Sequence, residues 1–205
     1  METKIIPAES EDTIPRALDI LKRGGLVAFP TDTVYGIGTL AFNAAAVESI
    51  YMAKDRPVEK AIPILIGGPE DLGKVTTEIP PMAAKLAERF WPGPLTLVVP
   101  KPPHLPDVVS AMPTVGVRVP DHPVARALLT TAGPMAVTSA NISGQDSPKT
   151  AEEVSRQLNR RIPLILDGGE TPGGVPSTVV NCLEKEPVIL RGGPISLKDI
   201  QSILA

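Results

Sequence analysis

The sequence has few of the features on which several classes of protein depend. It contains one cysteine, Cys182, which excludes an internal disulfide and fits a reducing compartment. No apolar run approaches the roughly 20 residues that a membrane-spanning helix requires. The N-terminal segment METKIIPAESEDT does not show the basic-then-apolar pattern of a signal peptide. Together these features predict a cytoplasmic protein.

Residues typical of metal sites and of covalent catalysis are also scarce. The histidines, His104 and His122, together with Cys182 are too few for a zinc site with nitrogen and sulfur ligands. His122 is expected to be an exposed residue in the first turn of a helix, and Cys182 is expected to be a small buried apolar residue at the end of a strand. Ser139 lacks the G-x-S-x-G context of an esterase nucleophile. The sequence therefore offers no good nucleophile or general base, and we do not expect covalent catalysis.

The charge balance and the aromatic content limit the range of ligands. The formal net charge is −3 and aromatic residues make up 3% of the chain, which argues against a protein coated in nucleic acid. A local basic cleft remains compatible with these numbers, because the 20 Lys and Arg residues need not be evenly distributed.

Two glycine motifs resemble nucleotide-binding loops but depart from them. Gly68–Lys74 fits the start of a phosphate-binding loop, but Val75 stands where a hydroxyl should bind magnesium. Glu70 and Asp71 would also repel phosphate there. Gly36–Ala41 resembles a dinucleotide fingerprint, except that TDTVY separates it from the preceding strand. We interpret the first motif as a strand-to-helix turn and give the second no nucleotide-binding role.

The pattern of apolar residues predicts an α/β fold. Hydrophobic residues make up 42% of the chain, and no repeat or break in composition divides it, so residues 1–205 are expected to form a single domain. Segments with helical spacing alternate with short apolar strands, but some strands follow one another directly. We therefore predict a twisted, mixed sheet flanked by helices. The predicted helices are 13–23, 43–57, 80–93, 121–133, 150–160 and 196–204, and the predicted strands are 26–30, 61–68, 94–100, 114–120, 134–139, 162–169, 176–182 and 187–193. Asn43 is expected to cap the second helix, Asp121 is expected to cap the fourth, and Gly133 is expected to end it. The last two predicted strands are expected to be neighbours.

Basic and hydroxyl side chains stand at points where the predicted elements end. Lys54, Arg56 and Lys60 follow a helix, whereas Arg118 and Arg191 lie in short apolar strands, where a buried guanidinium needs an anionic partner. Because ligands bind at strand ends in open α/β sheets, we expect these five cations to meet in one concave basic cleft. Such a cleft suits phosphates and carboxylates rather than stacked bases. Polar side chains expected at the same cleft are Thr33, Thr114, Ser139, Asn141, Ser143, Ser177 and Thr178.

Several segments, in the same order along the chain, resemble one known family. The resemblance is to the YrdC-like family of threonylcarbamoyl-adenylate synthases, and it runs from about residue 10 to residue 193. It implies a YrdC-like fold and a nucleotidyltransferase that forms threonylcarbamoyl-AMP and pyrophosphate from L-threonine, bicarbonate and ATP. The chain resembles the short form, which lacks the additional C-terminal domain of longer members. The segments are PTDTVYGIG, Lys54-x-Arg56, WPGPLTLV, VGVRVPDHP, TSANISG, STVV and ILRGG.

The resemblance also implies roles for individual residues. Thr33, Arg118 and Ser177 would contact threonine or bicarbonate, with Arg118 binding the carboxylate of threonine. Lys54 and Arg56 of the basic motif would be catalytic. Some members carry a histidine where this chain has Leu65. Contacts to ATP are expected from Arg56, Lys60, Thr114, Ser139, Asn141, Ser147 and Arg191.

The expected reaction joins anionic reactants, so its main demand is charge compensation and alignment. No acidic cluster forms a dedicated metal site, and Mg²⁺ is expected to arrive with ATP. The resemblance implies a partner transferase that passes the threonylcarbamoyl group to the adenosine beside the anticodon of certain tRNAs. The role of Asp32 stays open between binding the ammonium of threonine and bracing the turn around it.

Two alternative functions use the same basic cleft. One is a binding module for double-stranded RNA or tRNA, whose affinity would compete with ATP and fall steeply with salt. The other is a related carbamoyl-transfer or regulatory protein of the same fold, which would bind ATP without depending on threonine.

Overall fold

A mixed β-sheet of ten strands runs through residues 2–205, which are the residues that the structure, a computed structural model, describes. Parallel and antiparallel pairs both occur in it, which confirms the predicted mixed sheet. The strands are β1 Lys4–Pro7, β2 Val27–Phe29, β3 Gly36–Leu40, β4 Ile64–Leu65, β5 Leu95–Pro100, β6 Thr114–Arg118, β7 Met135–Ser139, β8 Leu164–Asp167, β9 Thr178–Asn181 and β10 Val188–Arg191.

The helices lie close to the predicted segments. Asn43 caps the second helix by accepting a hydrogen bond from the amide of Ala46, and Gly133, with φ of 82°, ends the fourth. Segment 68–74, interpreted above as a turn, contains a 3₁₀ helix over Pro69–Lys74. The α-helices are α1 Thr13–Lys22, α2 Ala44–Lys54, α3 Pro81–Phe90, α4 Pro123–Ala132, α5 Ala151–Leu158 and α6 Leu197–Leu204.

Two predicted helix boundaries are wrong. Helix α2 does not continue to Pro57, because Asp55 adopts a left-handed conformation with φ of 50° directly after Lys54. Helix α4 is capped by His122 rather than by Asp121, and the His122 side chain makes no capping hydrogen bond. The helix therefore ends before the basic loop, whose Arg56 and Ala61 line the cavity described below.

Strands β1 and β3 were not expected from the sequence pattern. Strand β3 contains Gly36 and Gly38, which resemble loop residues because they carry no side chain to reveal an alternating pattern. A Cβ atom on Gly38 would lie 2.7 Å from Cγ2 of Val137 and 2.8 Å from the carbonyl oxygen of Ala136. These glycines therefore permit close packing against β7, and their position inside a strand excludes the dinucleotide-loop interpretation.

The strand order is β1-β8-β2-β3-β7-β4-β6-β5-β9-β10. Strands β9 and β10, formed by the segments PSTVVNC and PVILRGG, are neighbours as expected, and the structure shows that they pair antiparallel. Within the described residues, 2–205, no helix combines the length and the apolar character that crossing a bilayer requires.

The first half of this order carries apolar packing on both faces. In β8, Ile165 belongs to one buried apolar cluster, whereas Leu164 and Leu166 on either side belong to another. Since successive residues of a strand point to opposite faces, these two clusters lie on opposite faces of the sheet. Strands β2 and β7 show the same division. We call strands β1, β8, β2, β3 and β7 the covered half.

The other half is packed on one face. Val115 and Val117 of β6 and Leu97 of β5 are buried in the larger cluster, but no residue of β5, β6, β9 or β10 belongs to the smaller one. Val98 and Gly116, which alternate with these residues, are partly exposed. We call strands β6, β5, β9 and β10 the open half, because one of its faces remains partly accessible to solvent.

Candidate functional site

A cavity of about 190 Å³ lies where several strands end, between the covered and the open half. Strand register explains its position, because Gly36 at the start of β3 pairs with Ser139 at the end of β7. The pairing of Leu97 with Val117 likewise places Thr96 opposite Arg118. The predicted site residues on the cavity lining are Thr33, Arg56, Arg118, Ser139, Ser177 and Arg191.

The Arg118 guanidinium is held from three sides. Its Nε donates to the carbonyl of Gly93 at 3.0 Å, Nη1 donates to Oγ1 of Thr33 at 3.0 Å, and Nη2 donates to the carboxylate of Asp32. Arg118 is only 5% exposed, and burial lowers the pKa of its guanidinium while the Asp32 carboxylate opposes that shift. Asp32 is therefore the anionic partner that the position of Arg118 in an apolar strand predicted.

Hydroxyl groups close the turn that carries Thr33 into the cavity. Oγ1 of Thr31 donates to the carbonyl of Val34 at 2.7 Å and accepts from the amide of Thr33 at 3.2 Å. The hydroxyl oxygens of Thr31 and Thr33 lie 3.0 Å apart. The small hydroxyl residues after β2 thus replace ordinary turn contacts with side-chain hydrogen bonds, and they direct Thr33 toward Arg118.

Arg191, at the end of β10, and Ser177, directly before β9, contact each other on the cavity lining. Nε and Nη2 of Arg191 donate to the carbonyl of Ser177 at 3.0 and 2.9 Å, and Nη2 also reaches Oγ of Ser177 at 3.0 Å. The Ser177 hydroxyl lies 2.8 Å from that of Thr96. The expectation of a buried Arg191 is wrong, because β10 is an edge strand and the residue is exposed.

Arg56 is held by the backbone of the loop that follows α2. Its Nε donates to the carbonyl of Lys60 at 3.2 Å, and Nη2 donates to that of Ala61 at 2.9 Å. Burial lowers the pKa of Arg56, and both burial and the charges of Arg118 and Arg56 lower the pKa of Arg191. The three arginines therefore share an environment in which an anionic ligand would be favoured.

Lys54 lies behind the cavity instead of on its lining. It is 1% exposed, and Nζ donates to the carbonyls of Ser139 and Asn141, each at 2.5 Å. Burial lowers the pKa of Lys54 to about 7, and the charge of Arg56 acts in the same direction. Lys54 thus connects the end of α2 to the backbone that carries Ser139 into the site.

The expectation that all five cations line one cavity is wrong for Lys54 and for Lys60. The side chain of Lys60 is exposed and outside the lining, and its contribution to the site is the carbonyl that Arg56 contacts. Position in the sequence could not reveal this, because both lysines are close neighbours of Arg56 and only the loop conformation separates their side chains.

Three further predicted residues lie outside the main cavity. Asn141 donates from Nδ2 to the carbonyls of Ile142 and Gln145, each at 2.8 Å, and so holds a turn. Ser147 lines a second hollow that shares Pro176 with the first. Thr114 is at the opposite end of β6 from Arg118, at about 13 Å for four residues of extended strand. Their roles as ATP contacts stay predictions, and they require a ligand that extends beyond the main cavity.

The lining of the cavity includes residues that were not predicted to contact a ligand. Thr31 and Thr96 both line it, as does Leu65, where some family members carry histidine. Thr31 could have been predicted, because it forms a Thr-x-Thr pattern with Thr33 directly after a strand. Thr96 had none, because a threonine in an apolar strand is unremarkable until the pairing of β5 with β6 is known.

The remaining candidates serve other purposes. Cys182 is 3% exposed, and burial raises the pKa of its thiol to about 12, which confirms the prediction of a buried apolar residue. His122 was expected to be exposed but is partly buried, and burial lowers the pKa of its imidazole.

The cavity does not fit a resident divalent metal ion. No group of three or more His, Cys, Asp or Glu side chains within residues 2–205 could hold one. Asp32, next to the lining residue Thr33, is occupied by Arg118, and the other polar lining groups are guanidinium and hydroxyl groups. Divalent ions prefer several carboxylate or carbonyl oxygens, which this lining does not supply.

Comparison with known proteins gives consistent matches over nearly the whole chain. The Sua5/YciO/YrdC family model, described as "Telomere recombination", matches residues 19–193. A Bacillus subtilis protein named threonylcarbamoyl-AMP synthase is 44% identical over 198 residues, covering 95% of this chain and 57% of that protein. A Mycobacterium tuberculosis protein named putative threonylcarbamoyl-AMP synthase is 40% identical over 199 residues, covering 97% of this chain and 92% of that protein.

A solved structure extends the similarity to three dimensions. The structure of P. abyssi Sua5 complexed with L-threonine matches with a TM-score of 0.95 and 43% identity, covering 98% of this chain and 61% of that chain. This chain therefore spans little more than half the length of the B. subtilis and P. abyssi proteins. The resemblance stated from the sequence motifs is confirmed at the level of the family and the fold: this protein belongs to the Sua5/YciO/YrdC family.

Proposed function

We propose that this protein is an L-threonylcarbamoyladenylate synthase, which forms threonylcarbamoyl-AMP and pyrophosphate from L-threonine, bicarbonate and ATP. The observation that carries the proposal is the meeting of Arg56, Arg118 and Arg191 around one cavity that also presents the hydroxyls of Thr33 and Ser177. Two relatives named as synthases and a related structure with L-threonine bound support the same activity.

Charge compensation is the main contribution of the site to this reaction. The carboxylate of threonine, the carbamate formed from bicarbonate and the phosphates of ATP are all anionic. Two unit charges about 4 Å apart repel by roughly 1 kcal/mol in water and about 4 kcal/mol at an effective dielectric constant near 20. Fixed guanidinium groups offset this repulsion without having to reorganise during the reaction.

The positions of the arginines suggest how the reactants are arranged. Arg118, which is buried and donates to the hydroxyl of Thr33, binds the carboxylate of threonine. Arg56 and Arg191, on the sides facing the loop and the open half, bind phosphate groups of ATP. The amine of threonine adds to bicarbonate and water leaves, giving the carbamate. A carbamate oxygen then bonds to the α-phosphorus, and the bond from that phosphorus to the pyrophosphate group breaks.

Magnesium enters this proposal as the ion carried by ATP. The cavity lining does not fit a resident metal ion, so no residue of the chain is assigned as a ligand. We also infer the downstream steps from the product: a transferase must consume the mixed anhydride and deliver the threonylcarbamoyl group to tRNA. Direct contact with tRNA or double-stranded RNA and a cytoplasmic location stay predictions from the sequence.

The test is incubation of the purified chain with ATP, Mg²⁺, bicarbonate and either threonine, serine or glycine. Mass spectrometry should detect the mixed anhydride, with threonine giving the largest yield, together with pyrophosphate. Omission of bicarbonate is the control, because it removes the carbonyl carbon of the product. Absence of a threonine-dependent product with ATP still bound would contradict the proposal and favour the regulatory alternative.

A further inference from the structure

Asp32 makes contacts that connect the functional cavity to the loop after β6. Its Oδ1 accepts a hydrogen bond from Nη2 of Arg118 and a second one, at 3.0 Å, from the amide of Asp121. The Asp32 side chain is 13% exposed and that of Arg118 is 6% exposed, so the ion pair is largely removed from solvent. Ion pairs in such surroundings are screened less than surface pairs.

Asp32 supports the cavity without lining it. Both of its neighbours in the turn, Thr31 and Thr33, are on the lining, whereas Asp32 is not. Its carboxylate is directed instead at Arg118 and at the segment between β6 and α4. This placement favours bracing over direct contact with the substrate ammonium.

The orientation of the Arg118 guanidinium depends on Asp32. The contacts at Nε and Nη1 involve neutral oxygens of Gly93 and Thr33, and the contact at Nη2 is the charge-assisted one. Together they fix the plane of the guanidinium and leave one N–H on each Nη atom for a ligand. A planar guanidinium fixed in this way can bind a carboxylate through two parallel hydrogen bonds.

We infer that Asp32 is a positioning residue: it holds Arg118 in the orientation that receives the substrate carboxylate, and it does not touch the substrate itself. The inference rests on the proposed function, since it assumes that Arg118 binds the carboxylate of threonine. It decides between the two roles that the sequence left open for Asp32.

The test compares two ligands in the Asp32→Asn variant. Asparagine keeps the size of the side chain and an oxygen that can accept from the Asp121 amide, but it loses the charge paired with Arg118. L-Threonine has both a carboxylate and an ammonium, whereas 3-hydroxybutyrate keeps the carboxylate and the hydroxyl and lacks the ammonium. Dissociation constants for both ligands are measured by NMR titration of the purified chain.

We expect Asp32→Asn to weaken the binding of both ligands by the same factor, about 10-fold or more, because the Arg118 guanidinium is no longer held in the orientation that binds a carboxylate. Loss of threonine binding with unchanged 3-hydroxybutyrate binding would show direct contact with the ammonium and overturn the inference. Unchanged binding of both ligands would also overturn it. Absence of threonine binding in the wild type would instead count against the proposed function.

A second measurement needs no ligand. The Nε–H resonance of Arg118 in the free protein should be slow to exchange in the wild type and should broaden or exchange rapidly in Asp32→Asn. An unchanged resonance would overturn the inference independently of the proposed function. If Asp32→Asn does not fold, Asp32→Glu replaces it, because glutamate keeps the charge but displaces it by one methylene. Asp32→Glu should weaken the binding of both ligands by the same factor, and this factor should be smaller than for Asp32→Asn.

The matched control is Asp107→Asn. Asp107 accepts from Nζ of Lys101, a side chain that is only 9% exposed, so this variant also removes a carboxylate from a shielded cation. Neither residue lines the cavity. The control should bind both ligands as the wild type does and keep the Arg118 resonance.

Discussion

The covered half and the open half of the sheet differ in how many of their faces are buried, although both are built from short apolar strands. Leu164 and Ile165 of β8 are buried on opposite faces, so both faces of that strand contribute to the core. Val117 of β6 is buried, but its neighbour Gly116 is partly exposed. The covered half supplies stability on both faces, whereas the open half leaves one face available to a ligand.

The functional cavity lies at the boundary between these halves. Leu65 of β4 belongs to the smaller apolar cluster and also lines the cavity. This cluster therefore extends to the cavity, and it includes no residue of the open half beyond it. Arg118 stands at the same boundary, on the first strand of the open half, and its partner Asp32 follows a strand of the covered half. Binding residues can therefore be held by a rigid core while facing an accessible surface.

The largest expected effect comes from breaking this connection with Arg118→Ala. The substitution leaves Asp32 as a shielded carboxylate without its guanidinium, which should lower the free energy of unfolding by about 3 kcal/mol or more. It should also lower the rate of threonine-dependent pyrophosphate release by about 100-fold or more. Urea unfolding and a pyrophosphate assay test both effects, and near-normal values in either one would contradict the connection between the halves.

One truncation in each half tests how tightly that half is packed. Leu129, in α4, is fully buried against the covered half, so Leu129→Ala should lower the free energy of unfolding by about 2–5 kcal/mol. Val98→Ala, on the partly exposed face of the open half, should cost less than about 1 kcal/mol. Equal losses in urea unfolding would show that the open face is packed as tightly as the covered one.

Arg56→Ala should separate activity from stability. Arg56 donates to carbonyls of its own loop and has no carboxylate partner among the described residues, so its removal leaves no unpaired charge in the core. We expect about a 100-fold lower rate, as for a lost donor to developing negative charge. The free energy of unfolding should change by less than about 1 kcal/mol. Normal turnover in Arg56→Ala would contradict its role in activity. A loss of free energy of unfolding as large as that of Arg118→Ala would contradict the separation of activity from stability.

A gradual effect is expected in the pH dependence of the free energy of unfolding, through the titration of Lys54. Its pKa of about 7 in the folded protein lies below the ordinary 10.5, so the unfolded chain binds more protons between these values. Stability should therefore rise with pH in this window. The hydrogen bonds to two carbonyls favour the ammonium, and they should keep the slope below the single-proton limit of about 1.4 kcal/mol per pH unit.

The measurement for Lys54 is urea unfolding between pH 7 and pH 9.5 for the wild type and for Lys54→Met. The difference between the two curves isolates this residue from other groups that titrate in the same range. A difference that is constant with pH, or that changes in the opposite direction, would contradict the assignment.

Prediction from the sequence succeeded where a local pattern carried the information. Asn43 as an N-cap, Gly133 as a helix end and the alternation of helices with strands followed from residue type and spacing alone. The strand that contains Gly36 and Gly38 was not predicted, because glycines in a sequence usually indicate a loop. In the folded protein the same glycines lie inside β3, where their lack of a side chain permits close packing against β7. The different positions of Arg56 and Lys54 depend on a single left-handed residue, Asp55, which no spacing rule anticipated.

The family, the α/β class and the chemical character of the site can be predicted from the sequence, because ordered motifs, apolar periodicity and the kinds of charged residue are all properties of the chain. The folded protein was needed to show which cations face the cavity, that Asp32 pairs with Arg118, and that one half of the sheet stays open. These features depend on strand register and on the packing of distant segments. Asp32 and Arg118 are 86 residues apart in the chain, and no local preference could bring their side chains together.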